Sequence, residues 1–321
     1  MNYYLLLNQM KKILLSLAVI NFGLAANAQS HGSASRPHWS VPILLSSSTF
    51  LSDLGGKDSY GTNDPADIDF QEVRYAFGTG IKYNFPKGIS FGLSAFYTRL
   101  SADDAETTSS RSLRKLKVRT DVIETTFKVE YTFPQNSGPL RGFYFNVGAG
   151  LNFFTPMSEY NGTWHKLRPL GTEGQNIDPN QQVYGVYSPV IPFGFGKKFV
   201  LPNGMMFGLD LSLRKSYTDY LDDVSGTYFD NALIAERSGA IAAALADPST
   251  DPAAGRTGNI RGNPENADNF FLLGFQLEIP LGAGGGNYNT SCAFGNGWIR
   301  GDGSVPKIGR RGKLKRIRIF R

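Results

Sequence analysis

The chain has 321 residues, 19% of them charged and 13% aromatic, with 37 glycines and a single cysteine. That glycine and aromatic content favours strands and turns over a helical bundle, and one cysteine excludes an intramolecular disulfide framework. The net charge of +6 belongs to a tail, because residues 287–321 hold nine Lys or Arg against one Asp and the remainder carries 24 basic and 26 acidic residues. The body of the chain is therefore slightly acidic, and the overall basicity gives no argument for nucleic-acid binding.

The N-terminus reads as an export signal over residues 1–28. Lys11 and Lys12 precede the apolar run ILLSLAVINFGLAA, and Ala26-Asn27-Ala28 supplies the small-x-small pattern of a signal peptidase site. Met10 offers a second start, since residues 1–9 add nothing that a signal needs. No cysteine follows the run, which argues against a lipid anchor. Beyond it, no window approaches the ~18 consecutive apolar residues of a membrane helix. The mature chain is then either a secreted soluble protein or one that enters a membrane as strands.

In chain order, residues 41–52 form a weak first strand, followed by a polar loop at 53–69. Val73, Tyr75, Phe77, Thr79, Ile81, Tyr83 and Phe85 then alternate with Arg74, Ala76, Gly78, Gly80, Lys82 and Asn84, the period-two signal of a strand with two unlike faces. Pro86-Lys87-Gly88 turns the chain into a third strand from Ile89 to Tyr97. A long strand near 114–133 sets Ile123, Thr125, Phe127, Val129, Tyr131 and Phe133 against Glu124, Thr126, Lys128 and Glu130. The strand at 143–153 leads to a loop expected at 156–183. Two more strands follow, one from Ile191 to Leu201 and one from Phe207 to Leu213. Residues 231–247, NALIAERSGAIAAALAD, look like one short helix with Leu233, Ile234, Ile241 and Leu245 on one side. The last strand carries Phe271, Leu273, Phe275, Leu277, Ile279 and Leu281.

Eight strands result, with connections that alternate between short (PKG, PQNSGPLR, PNG) and long. That rhythm predicts an all-β chain: an eight-stranded antiparallel transmembrane β-barrel over residues 29–286, with one short helix in the last outer loop and a basic periplasmic tail at 287–321. A soluble sandwich would need polar outward rows, and here one row of each strand is apolar and aromatic. Lys82, Glu124, Lys128, Glu130, Lys198, Asp210, Arg214 and Glu278 are then expected in the lumen. Eight strands leave room for side chains rather than an open pore, so a packed salt-bridge network is expected there. The export signal places both termini in the periplasm.

Signals for catalysis are thin. His31 and His38 precede the first strand, His165 falls in an outer loop, and no Ser, His and acid take a placed arrangement. Asp219, Asp222 and Asp223 supply oxygen ligands suited to calcium, but without the spacing or turn glycine of a known calcium loop, so hydrogen bonding is the alternative. Tyr217, Tyr220 and Tyr228 fit an interfacial aromatic girdle. Cys292 is either a free thiol or one half of an inter-chain disulfide. The terminal KLKRIRIF could add to a partner's sheet edge or remain a disordered basic tail.

The stretch RKSYTDYLDDVSGTYFD at 214–230 resembles the signature of the PorG-like outer-membrane β-barrel family of the type IX secretion system. TFLSDLGG, RTDVIETTFKVEYTF, GTWHKLRPLGTEGQ and RGNPENADNF follow the same family in the same order, so the resemblance covers roughly residues 41–282. It marks Arg214, Asp219, Tyr220, Asp222, Asp223 and Tyr228 as a signature outer loop. It implies an outer-membrane barrel with no catalytic site, cofactor or metal. The implied role is to tie a periplasmic ring of PorK-like lipoprotein and PorN-like protein to the membrane in support of protein export and, in some cells, gliding. Members tend to end soon after the last strand with a cysteine near the terminus. Cys292 lies in that region as a candidate partner contact, but here the tail runs on for 29 further residues. The other reading of the residues is a small OmpA- or OmpW-like barrel that binds or passes a solute. A lipid-modifying enzyme is a third class.

Overall fold

The computed structural model describes residues 37–55, 72–106, 110–134, 137–201, 204–249 and 257–281, together with the backbone of 307–308 and 314–315. The export signal, His31 and Cys292 lie outside the described residues. So does the tail, apart from Lys307–Ile308 and Leu314–Lys315, which pair antiparallel.

Nine strands form the main sheet: β1 (His38–Leu51), β2 (Arg74–Asn84), β3 (Ile89–Asp103), β4 (Lys117–Thr132), β5 (Phe143–Tyr160), β6 (Thr163–Lys166), β7 (Tyr187–Val200), β8 (Met206–Ser216) and β9 (Asn269–Pro280). Eight of them close a ring in the order β4-β3-β2-β1-β9-β8-β7-β5, with β5 pairing back to β4. Every pairing is antiparallel, and the first strand joins the last with Val41 opposite Ile279 and Leu51 opposite Asn269. The expected eight-stranded antiparallel barrel is present. Closure leaves no sheet edge unpaired around the ring.

The alternation seen in the sequence decides which way each side chain points. On β2, Tyr75, Phe77 and Ile81 are exposed while Ala76, Lys82 and Asn84 are buried inside. Leu45 of β1, Leu93 of β3 and Phe195 of β7 are 62%, 60% and 59% exposed, far more than a water-soluble exterior leaves bare over so many contiguous strands. Aromatic rings gather at both ends of this belt. At the short-turn end Trp39 lies 4.8 Å from Tyr83, and Tyr83 lies 4.8 Å from Phe85. At the other end Tyr75 and Phe77 meet Tyr97, and Phe153 meets Tyr187. Tyr83 and Tyr75 are separated along one strand by about 26 Å, or about 20 Å after a strand tilt of ~40°. That approaches the ~25 Å apolar band of a membrane barrel.

Three local expectations are corrected. The loop expected at 156–183 begins later, because β5 runs on to Tyr160 and returns as β6, a hairpin arm outside the ring. The turn between them is Asn161-Gly162, both at positive φ (49° and 79°), the conformation that this dipeptide adopts in two-residue hairpins. His165 therefore sits in a strand rather than a loop, directly opposite Ser158. The helix expected over 231–247 is two helices, α1 (Asn231–Ser238) and α2 (Ala240–Ala246). Gly239, at φ +95°, breaks them, so Ile234 and Leu245 are buried while Leu233 and Ile241 are left exposed. His38 is the first residue of β1 rather than a residue preceding it.

Candidate functional site

The interior is filled in layers. Nearest the short turns, Lys82 of β2, Glu130 of β4, Lys198 of β7 and Glu278 of β9 form a four-charge ring, all under a tenth exposed. Lys82 reaches Glu130 at 3.1 Å and also bonds Glu278. Lys198 reaches Glu278 at 3.2 Å and also bonds Glu130. Around them the Ser40 hydroxyl donates to Glu278 at 2.6 Å, the Asn84 amide donates to Glu278 at 3.0 Å, and Ser90 donates to Asn84 at 2.7 Å. Alternating cations and carboxylates from four strands satisfy one another where water is excluded, the condition under which buried ions are tolerated.

A second layer lies above. Tyr144 donates to Asp210, Ser212 donates to the other Asp210 oxygen at 2.8 Å, and Arg214 donates to Ser212. The Arg214 guanidinium lies 5.0 Å over the Phe96 ring and 3.6 Å from Glu124. Arg214 and Glu124 have no measurable exposure. All eight lumenal residues expected from the sequence line this interior: Lys82, Glu124, Glu130, Lys198, Asp210, Arg214 and Glu278 are buried, and Lys128 lies on the same inward row of β4.

The third layer is the signature stretch. After β8 the chain turns inward over the barrel mouth instead of projecting from it. Leu221 and Val224 have no exposure and join Phe50, Leu100, Val122, Phe270 and Leu272 in one apolar cluster. Burial of each such side chain contributes roughly 1.5–3 kcal/mol. The Thr120 hydroxyl on the barrel wall donates to the Leu221 carbonyl at 2.5 Å. Tyr220 stacks on Tyr184 at 4.5 Å, and Tyr184 stacks on Phe154 at 6.3 Å. Tyr228 is 2% exposed, with the Arg261 guanidinium 6.0 Å from its ring. Neither Tyr220 nor Tyr228 belongs to the girdle, because Tyr220 is stacked on Tyr184 and Tyr228 is buried beside Arg261. Tyr217, 54% exposed beside Lys215, keeps a girdle position.

Asp219, Asp222 and Asp223 do not act together. Asp223, held at φ +63°, accepts from Thr172 at 2.5 Å and from the Tyr184 hydroxyl. Its carboxyl is raised to about 6, chiefly by burial, with Arg261 opposing. Asp219 and Asp222 instead face Asp53 and Asp268. Asp222 accepts from the Val224 amide at 2.9 Å and Asp268 from the Leu221 amide at 2.8 Å. The other oxygen of each carboxylate is buried without a hydrogen-bond partner. Burial, followed by the neighbouring carboxylates, raises Asp222 and Asp268 well above the ordinary carboxylate range. Asp219 is raised to about 8, by burial first. Among the described residues no three acidic, His or Cys side chains converge in a way that would hold a metal ion.

Residues outside the expected set complete the cap. Arg261 donates to Glu173 at 2.9 Å and to the Asp223 carbonyl at 2.6 Å. Glu173 accepts from the Ser225 amide at 3.0 Å, and the Asn263 amide donates to Asp53 at 2.5 Å. Asp53, Glu173, Arg261 and Asp268 each lie in one of the sequence blocks quoted above for the family resemblance. Those blocks, far apart in the chain, meet at one place in space. Arg261→Ala would strand buried Glu173 without its counter-charge, at an expected cost of about 3–5 kcal/mol to the cap. Hydrogen exchange should accelerate at the Ser225 and Gly226 amides, which both donate to Glu173, while the amides of β4 remain protected.

The Ser158 hydroxyl opposite His165 donates to the Lys117 carbonyl at 2.6 Å.

An apolar exterior, a polar interior closed by side chains and a ring without edges define a membrane-spanning β-barrel with a plugged lumen. No protein-family model matches the chain, and no curated relative matches it. Among solved structures the chain is similar to Ail, the attachment invasion locus protein of Yersinia pestis, solved with the heparin analogue sucrose octasulfate. That match has 9% identity and a TM-score of 0.34 over 76% of this chain and 100% of Ail. The Neisserial surface protein NspA matches at 8% identity and TM-score 0.35, over 76% of this chain and 99% of that one. OprG of Pseudomonas aeruginosa matches at 11% identity and TM-score 0.30, over 77% and 99%.

Proposed function

We propose that this chain is an outer-membrane scaffold of the type IX secretion system, a PorG-like barrel that holds a periplasmic ring of PorK-like lipoprotein and PorN-like protein at the membrane. The observation that carries this reading is the closed interior. The ring of Lys82, Glu130, Lys198 and Glu278 fills the barrel near its short turns, and the 214–230 stretch fills its mouth. A barrel sealed at both levels serves better as an anchor than as a channel. The packing of Leu221 and Val224 against the wall, with Asp219, Tyr220, Asp222, Asp223 and Tyr228 engaged within the cap, supports reading the signature as a determinant of the fold rather than as the partner contact. β1 begins and β9 ends at the same side, Ser40 facing Pro280, which accords with both termini in the periplasm. The ring contact then belongs to that side, at the short turns such as Pro86–Gly88 and in the region around Cys292. The reading assigns the chain no catalytic step.

Deletion of the gene should abolish secretion of type IX cargo, and normal secretion would overturn the proposal. In planar bilayers the purified protein should give no stable current steps. A steady conductance would favour the solute-passing OmpA- or OmpW-like reading instead.

A further inference from the structure

The outward face carries a second feature that the scaffold role does not use. On β2, β3 and β4, Thr79, Ala95 and Thr125 stand in one row across the sheet, and all three are short. Ile81, Leu93 and Phe127 wall the space in front of them, leaving a lateral hollow of about 530 Å³ in the apolar belt.

Above it the outward rows turn basic. Arg119 of β4, Met157 of β5 and Lys166 of β6 lie in one row, Arg119 opposite Met157 and Met157 opposite Lys166. Neighbouring strands are ~5 Å apart, so the two cations flank Met157 at about 10 Å between backbones, within reach of one small anion. Arg119 stacks on Trp164 at 3.9 Å, which orients its guanidinium. Its Nε is buried without a hydrogen-bond partner, which leaves the terminal guanidinium nitrogens to meet a ligand. Other charges nearby are already matched: Arg99 bonds Asp121 at 2.6 Å and Lys117 meets Asp103 at 3.4 Å. Arg119 and Lys166 have no carboxylate within salt-bridge distance among the described residues. Glu159, opposite Trp164, is exposed and makes none of these contacts. Arg119 stands six residues above Thr125, about 20 Å along the strand and about 15 Å in depth after tilt. Half of a ~30 Å hydrocarbon core is the same depth.

We propose that this face binds a phosphorylated glycolipid of the outer leaflet. Arg119 and Lys166 would clamp a lipid A phosphate, and an acyl chain would lie in the hollow at Thr79, Ala95 and Thr125. Arginine suits such a phosphate because its planar fork donates two parallel hydrogen bonds. The assignment to the outer leaflet rests on the orientation given under the proposed function. The binding chemistry does not, and it is measured in detergent.

The test uses the full chain in micelles, titrated with bisphosphorylated lipid A and with the same glycolipid after removal of its phosphates, and read by native mass spectrometry. Tighter retention of the phosphorylated form, by tenfold or more, is expected, and it should fall as salt rises. Arg119→Ala with Lys166→Ala should erase the phosphate preference. Ala95→Trp, which fills the hollow, should weaken both forms alike. Circular dichroism and resistance of the barrel to unfolding in detergent would show that each variant is folded. Equal retention of the two glycolipids, or a preference that survives loss of both cations, would overturn the proposal. Labelling of single cysteines in the long loops of intact cells tests the orientation separately. Labelling from outside supports the outer-leaflet assignment, and periplasmic loops would overturn it even with phosphate binding intact.

Discussion

Glu278→Ala should destabilise the barrel by about 3–5 kcal/mol, the cost of removing one partner from a buried ionic network. Glu278 is 1% exposed and meets both lysines of the ring, along with Ser40 and Asn84. Without it, Lys82 and Lys198 share only Glu130, and two ammonium groups compete for one carboxylate where water cannot screen them. Glu278→Gln should recover part of the loss, because an amide oxygen can still accept from Ser40 and Asn84. A matched replacement, Glu278→Leu with Lys82→Met, removes one charge of each sign and should come close to the parent stability. Apolar pairs of similar volume often equal or exceed the ion pairs they replace. Urea unfolding in lipid vesicles, followed by tryptophan fluorescence, measures all three. A loss below about 1 kcal/mol for Glu278→Ala, the range of an exposed pair, would show that water reaches the ring.

These charges were legible in the sequence because period-two alternation is a local property. A lysine or glutamate on the row opposite an aromatic run must face the lumen once the barrel closes, and Lys82, Glu130, Lys198 and Glu278 all do. Their pairing was legible only as a class of contact, since register across closing strands depends on every loop at once. The β5–β6 arm was missed because Thr163 to Lys166 offers no apolar alternation. Yet Asn161-Gly162 is a hairpin signal that could have found it. The break at Gly239 was likewise available from the residue type. The cap was the least legible part. Glu173 meets Arg261 across 88 residues and Asp53 meets Asn263 across 210, and no periodicity links positions so far apart. The resemblance blocks held those residues without saying that they converge.

The convergence of acids gives the cap a pH dependence whose sign is set by burial. Asp219 is raised to about 8, and Asp222 and Asp268 are raised well above their ordinary range, whereas an aspartate in the unfolded chain titrates near 3.9. The folded cap therefore keeps protons that the unfolded chain gives up. The stability that Asp219 contributes is fully present below about pH 4 and is lost as pH climbs through about 8, and Asp222 and Asp268 act in the same direction. A tenfold difference in proton affinity between the folded and unfolded chain corresponds to about 1.4 kcal/mol, so the loss from Asp219 across this window is on the order of a few kcal/mol. Asp53 and Glu173 face the same carboxyl and deepen the effect, and the Ser225 hydroxyl opposes it. The nearby cations are already engaged, Arg114 with Asp104 and Arg261 with Glu173. Hydrogen exchange at the Leu221 and Val224 amides, corrected for its intrinsic pH dependence, should show opening that grows between pH 5 and 8. Asp219→Asn should flatten that slope and slow exchange at pH 8, because a neutral amide replaces a carboxylate that must ionise. Protection that holds steady or rises over the same range would mean that the acids are already compensated. The four-charge ring lies below the cap on separate strands, so an opened cap should leave the lumen closed to current at pH 8.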